Sequence, residues 1–196
     1  MTAPGHPFAQ PGDAFFTRGR GLRSRLVLWG QTSPGEEKSW PSHMGIVTRP
    51  GYFVAPPGTS RNSMAWVSEA LWRVGHHNWW SRYRTSHGYA YAIYRPRLVH
   101  DAAIGAIVRD ALSRTGQRYA WWRMLSFVTD KIKLPGAKLH FLRSRNVCST
   151  HAALGFAAGG VRYGRKDPKE VDPDFAHDYS KANPQEWLYI GWGVVP

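Results

Sequence analysis

"SHMGIVT", residues 42–48, places a histidine at the head of a short β-branched run. Side chains alternate between the two faces of a strand, so 43–49 is expected to be a strand with His43, Gly45 and Val47 on one face. Gly45 leaves space beside the imidazole for another chain or a substrate. A second strand is expected over 52–55, reached through Pro50-Gly51.

Upstream, residues 1–11 are rich in Pro and Gly and read as a flexible N-terminal arm. "GDAFFT" (12–17) reads as a turn and a short strand. In "GLRSRLVLWG" (21–30), Leu22, Leu26 and Trp29 recur at helical spacing and predict a short helix over 21–29. "QTSPGEEKSWPS" (31–42) reads as a loop.

Downstream, "AWVSEALW" (65–72) fits a strand carrying Val67, Glu69 and Leu71 on one face, and "GYAYAIYRP" (88–96) a strand stopped by Pro96. The pair His76-His77 between them reads as a surface loop. In "HDAAIGAIVRDALSRTG" (100–116), Ile104, Ile107, Val108, Ala111 and Leu112 form the stripe of an amphipathic helix, with Asp101 as its N-cap and Gly116 just past its end. Further helices are expected within 120–133 and over 147–158, and a last strand within 186–195. Strands precede helices with no βαβ alternation. The expected fold class is therefore α+β, a small antiparallel sheet or partial barrel packed on helices, in a single domain over 12–196.

The 196 residues carry 26 Lys and Arg against 13 Asp and Glu, a formal charge of +13. Such a field attracts polyanions: nucleic acid, anionic lipid or acidic wall polymers. The charge is spread thinly over "TRGRGLRSR", "WSRYRT", "KIKLPGAK" and "RYGRKDPK", with no zinc finger or RNA-recognition signature, so specific nucleic-acid binding is not expected. A single cysteine excludes an intramolecular disulfide and a CxxC zinc site. No apolar run reaches the length of a membrane span. "MTAPGHPFAQPGD" has neither a basic n-region nor an apolar h-region, so no signal peptide is expected. The cytoplasm, a phage particle and non-classical export all stay open.

That cysteine stands in "SRNVCSTHAALGFAAGG" (144–160). With Asn146 as N-cap, Cys148 falls in the first turn of a helix, where unpaired N–H groups and the helix dipole favour a thiolate and later an oxyanion. A free cysteine at a helix start is more often inert packing, because Cys is among the most buried residue types. Reactivity needs a base and a group to orient it. His43 is the candidate base. Glu69 is the candidate orienting group, since a carboxylate on an apolar face needs a partner such as an imidazole N–H. His151, one helical turn after Cys148, has a spacing that suits two metal ligands, yet no further ligand cluster accompanies it; no metal and no cofactor is expected.

The ordered series "GDAFFTRG", "SHMGIVT", "VSEAL", "YAIYRP", "GQRYAWW" and "NVCSTHAA" resembles the circularly permuted papain-like proteins, the YiiX-like branch of the NlpC-type cysteine peptidase superfamily. The resemblance runs from Gly12 to Gly160. It implies a papain-like fold in which the His-bearing strand comes early and the Cys-bearing helix late. It implies Cys148 as nucleophile, His43 as general base and Glu69 as the residue that orients the imidazole. Tyr119 and Ser149 are implied as oxyanion or substrate-binding positions, with core packing the alternative for Tyr119. Relatives commonly follow the Cys with Ser and then Glu; Thr150 and His151 stand here after Ser149.

The function so implied is a cysteine hydrolase cutting an amide bond through an acyl-enzyme, with cell-wall peptide as the leading substrate. An alternative is a lipid acyltransferase or thioesterase with the same triad, for which some of the ten Trp would line an apolar groove rather than fill the core. A third is a non-catalytic structural or binding module of a phage or secreted assembly.

Overall fold

The computed structural model describes residues 6–31, 39–97, 99–118 and 148–196. Its centre is a six-stranded, wholly antiparallel sheet with helices packed on it. In chain order the elements are β1 (Phe8–Ala9), β2 (Ala14–Arg18), α1 (Leu22–Gln31), β3 (His43–Arg49), β4 (Gly51–Tyr52), β5 (Trp66–Ala70), β6 (Val74–Asn78), α2 (Trp79–Tyr83), β7 (Ala90–Pro96), α3 (Asp101–Ser113), α4 (Cys148–Ala158), α5 (Pro173–Ala182) and β8 (Trp187–Val194). Across the sheet the order is β6-β5-β3-β2-β7-β8, while β1 and β4 make a separate pair. The fold is thus α+β. Among the described residues no helix is long and apolar enough to cross a membrane.

Alternation along the strands builds two apolar layers. Phe16, Met44, Ile46 and Ala92 face the helical side, where they meet Ile107 and Ala111 of α3 and Ala152, Ala153 and Phe156 of α4. Phe15, Val47, Val67 and Ile93 face the other side, with Phe53, Trp79 and Tyr91. Each fully buried large side chain contributes roughly 1.5–3 kcal/mol, so both layers are needed to hold one sheet. α4 is buried nearly all round, which explains its small residues. A Cβ on Gly155 would stand 2.5 Å from the Ile46 Cδ1, so a larger residue there would push that methyl aside.

Asp13 explains the "GD" at the head of β2. It is fully buried, and its carboxylate takes Arg95 Nε and Nη2 at 2.8 and 2.9 Å while accepting the Gln10 N–H. A bidentate guanidinium satisfies a buried carboxylate that a single donor would leave costly. The pair therefore ties β2 to β7. Gly12, at φ +84°, makes the turn into it.

Several local expectations are corrected. The N-cap of α3 is His100, whose Nδ1 accepts the Ala103 N–H, and Asp101 is the first helical residue. The strand expected over 52–55 stops at Tyr52, because Phe53 turns inward to stack on Trp79 with ring centroids 4.1 Å apart. The supposed loop around His76-His77 is β6 running directly into α2. Within the segment read as an arm, Phe8–Ala9 pairs with Gly51–Tyr52 and Ala9 is fully buried. The helix expected within 120–133 lies outside the described residues.

Candidate functional site

His43 is the first residue of β3 and Cys148 the first of α4, so both occupy ends of elements that meet at one edge of the core. The imidazole of His43 lies between two partners. Its Nε2–H donates to Glu69 Oε2 at 2.5 Å, and the ring also hydrogen-bonds Cys148, which leaves that contact to Nδ1. Register accounts for the Glu69 side. Ser68 of β5 lies opposite Ile46 of β3, so Glu69 comes beside Gly45 and diagonal to His43 on the same face.

Of the two occupants expected beside Gly45, a neighbouring stretch of chain and a substrate, it is the chain that takes the space. Phe15 fills it: a Cβ on Gly45 would stand 2.6 Å from the Phe15 ring and 2.8 Å from the Ser68 carbonyl. The same ring packs against His43, with centroids 6.2 Å apart. Gly45 thus admits a ring that braces the imidazole.

Glu69 is fully buried and carries three hydrogen bonds. Besides His43, Tyr83 O–H donates to Oε2 at 2.6 Å and His77 Nε2–H to Oε1 at 2.7 Å. Neither residue figured among the expected site residues, and His77 is a correction to the surface reading. The signal was available in part. "LWR" is a tight turn, so a strand after it must pair with β5 and bring "VGHHN" beside Glu69. Gly75 lies directly opposite Glu69, and His77 leans over it, its Nδ1 3.2 Å from where a Gly75 Cβ would sit. His76, on the other face, bonds Thr48 Oγ1 at 2.9 Å instead.

The charges follow from these contacts. Burial alone pushes the Glu69 carboxyl up, but His43 and His77 hold it below the ordinary carboxylate range. Burial alone pushes His43 down, yet the charges of Cys148 and Glu69 and the bonds to both raise it to about 10. For Cys148, burial pushes the thiol up; the His43 charge and hydrogen bond, with backbone N–H groups of Met44 and Ser149, bring it below its usual value. The shifts all run toward the charged forms, with sulfur, imidazole and carboxylate in series.

Above Cys148 opens a cleft of about 250 Å³. Ser24 and Val27 of α1 form one wall; Leu71 and Trp72 of the β5–β6 turn, Arg82 and Tyr83 of α2, and Tyr89 form the rest. Ser149 is buried and is not among the lining residues; only its backbone reaches the sulfur. Tyr119 and Asn146 lie outside the described residues. His151 turns away from the cleft and bonds Ser68 Oγ at 3.0 Å on the helical side of the sheet. Among the described residues no three His, Cys, Asp or Glu side chains form a group that could hold a metal ion.

No protein-family model matches the sequence, and no curated protein matches it. Among solved structures, the crystal structure of metalloprotein yiiX from Escherichia coli O157:H7, DUF1105, is similar at a TM-score of 0.48 and 17% identity. That likeness covers 95% of this chain and 89% of the other.

Proposed function

We propose that the protein is a cysteine hydrolase that cleaves an amide bond through Cys148, His43 and Glu69, with cell-wall peptide as the leading substrate. The observation that carries this reading is the imidazole of His43 held between a buried carboxylate and the sulfur at the floor of an open cleft. The Cys148 thiolate adds to the amide carbonyl carbon, and the resulting oxyanion is met by N–H groups at the start of α4. As the C–N bond breaks, the His43 imidazolium gives its proton to the leaving amine. Water then attacks the thioester, passing a proton back to His43, and releases the acid. Glu69 keeps the imidazole oriented and favours its charged form.

The order of His-bearing strand before Cys-bearing helix supports the permuted papain-like arrangement. Cys148→Ala is expected to abolish turnover of wall-peptide fragments without changing the thermal midpoint by more than a few degrees. Full activity in that variant sinks the proposal. A second reading, acyl transfer to or from lipids, is favoured by Trp72, which is 57% exposed on the cleft rim. Binding to lipid vesicles that survives high salt would support it over the peptide reading.

A further inference from the structure

The polar lining of the cleft is one-sided in charge. Among the described residues its walls include the hydroxyl-bearing Ser24, Thr85, Ser86 and Tyr89, and one guanidinium, Arg82. Among the described residues no carboxylate lines it. The Glu69 carboxylate below is already occupied by His43, Tyr83 and His77. Arg82 forms no ion pair among the described residues. Its position is set by its neighbour: Tyr83 points inward to Glu69 and stacks on Trp79 with centroids 4.0 Å apart, which fixes α2 and leaves Arg82 on the cleft wall.

The volume narrows the occupant further. About 250 Å³ is the space of roughly eight water molecules and lies below the ~300–1,000 Å³ of drug-sized ligand sites. The cleft therefore receives a short segment. Hydroxyls on its walls suit the carbonyl and N–H groups of a peptide, which a hydrocarbon chain would leave unpaired at a cost.

Taking Cys148 as the nucleophile, as proposed above, we infer that Arg82 is a specificity residue of the cleft, and that the substrate is a peptide segment bearing a carboxylate close to the bond attacked. A guanidinium reads a carboxylate with two parallel N–H bonds, a geometry neither lysine nor a hydroxyl reproduces.

Two alkylating probes of nearly equal size test this on the intact protein: iodoacetate, which carries a carboxylate, and iodoacetamide, which does not. In each, the Cys148 sulfur attacks the methylene carbon, the S–C bond forms and iodide leaves. The quantity read is the ratio of the two rates at Cys148, at fixed low ionic strength, in wild type, Arg82→Gln, Arg82→Lys and Arg84→Gln. Arg84 is exposed, neighbours Arg82 in sequence and does not line the cleft. The ratio is expected to fall about fivefold in Arg82→Gln, a modest Coulombic effect because the guanidinium is solvent-exposed. It should be only partly retained in Arg82→Lys, which keeps the charge but loses the paired N–H bonds, and unchanged in Arg84→Gln. A ratio that Arg82→Gln leaves unchanged, or that Arg84→Gln lowers equally, overturns the inference while fast alkylation keeps the nucleophile reading intact. A Cys148 that reacts slowly with both probes overturns the nucleophile reading itself.

Discussion

The half-buried His43 and the fully buried His151 pack against opposite faces of β5, and their pKa values are pushed in opposite directions. Adjacent residues of β5 account for it: Glu69 points to one face and takes His43, Ser68 points to the other and takes His151. His43 is raised to about 10, whereas burial and the nearby Arg114 charge push His151 down to about 3. Burial alone lowers both. A carboxylate and a thiolate reverse it; a hydroxyl does not. One imidazole is thus held toward its charged form beside sulfur, and the other toward its neutral form in the core, its Nδ1 with no hydrogen-bond partner among the described residues.

The sharpest break in this comparison is His43→Ala. Turnover is expected to fall about 10⁴-fold, and the Cys148 thiol to return to ordinary behaviour, with alkylation at pH 6 slowed about a hundredfold. His151→Asn should leave alkylation within about threefold of wild type. In the unmodified protein, alkylation of Cys148 should persist well below pH 8.5, failing only as the thiolate is protonated at its lowered pKa. Turnover should fall at the alkaline end as His43 loses its proton near 10. An alkylation profile with its midpoint near 8.5 that His43→Ala does not move would show that the two histidines do not differ in the way described.

Glu69→Gln probes the same contrast from the carboxylate. It preserves size but removes the charge that helps raise His43, and an amide places N–H groups where three donors now converge. Turnover should drop about 10³-fold, with the alkaline limb moving to lower pH, read from a pH–rate profile.

His151 gives the mirror-image effect, in stability. Its folded pKa lies below the unfolded value of 6.5, so above pH 6.5 the group contributes no pH dependence. As pH falls from 6.5 toward 3, the unfolded chain binds a proton that the folded chain refuses. Stability is lost at up to about 1.4 kcal/mol per pH unit, on the order of 5 kcal/mol in all. Denaturant titrations at pH 7, 5 and 4 should show this slope flattened in His151→Asn. An equal slope in both proteins would remove the contrast.

The smallest expected effect is Tyr83→Phe. One hydrogen bond to the Glu69 carboxylate is lost while His43 and His77 remain, so stability should fall by about 1.5–3 kcal/mol and turnover by several-fold. A variant as stable as wild type would mean that the two imidazoles suffice to hold Glu69.

Much of the sheet was legible in the residues alone. The strands containing His43, Glu69 and Ala92 and the helix from Asp101 carry period-two or 3.6-residue patterns strong enough to read, whereas the helix from Cys148, buried nearly all round, is marked in the sequence by Asn146 as its N-cap. The missed pieces were short or polar. β6, "VGHHN", has little apolar alternation because two of its side chains serve polar partners, Glu69 and Thr48. Phe53 looked like strand and behaves as a core plug, since packing on Trp79 outweighs continuation of the ladder.

The sequence by itself determined the identities and chain order of Cys148, His43 and Glu69, and the local geometry that puts each at a strand or helix end. Residue type and period decide those matters within a few positions of the chain. The packed fold alone sets three further things: that His77 and Tyr83 share the Glu69 carboxylate, that Phe15 fills the space beside Gly45, and that Arg82 lines the same cleft as Cys148. These are contacts between strands and helices far apart in the chain, set by register and packing. No local pattern encodes them. The same holds for the two histidines: their charge states follow from which face of β5 each one meets.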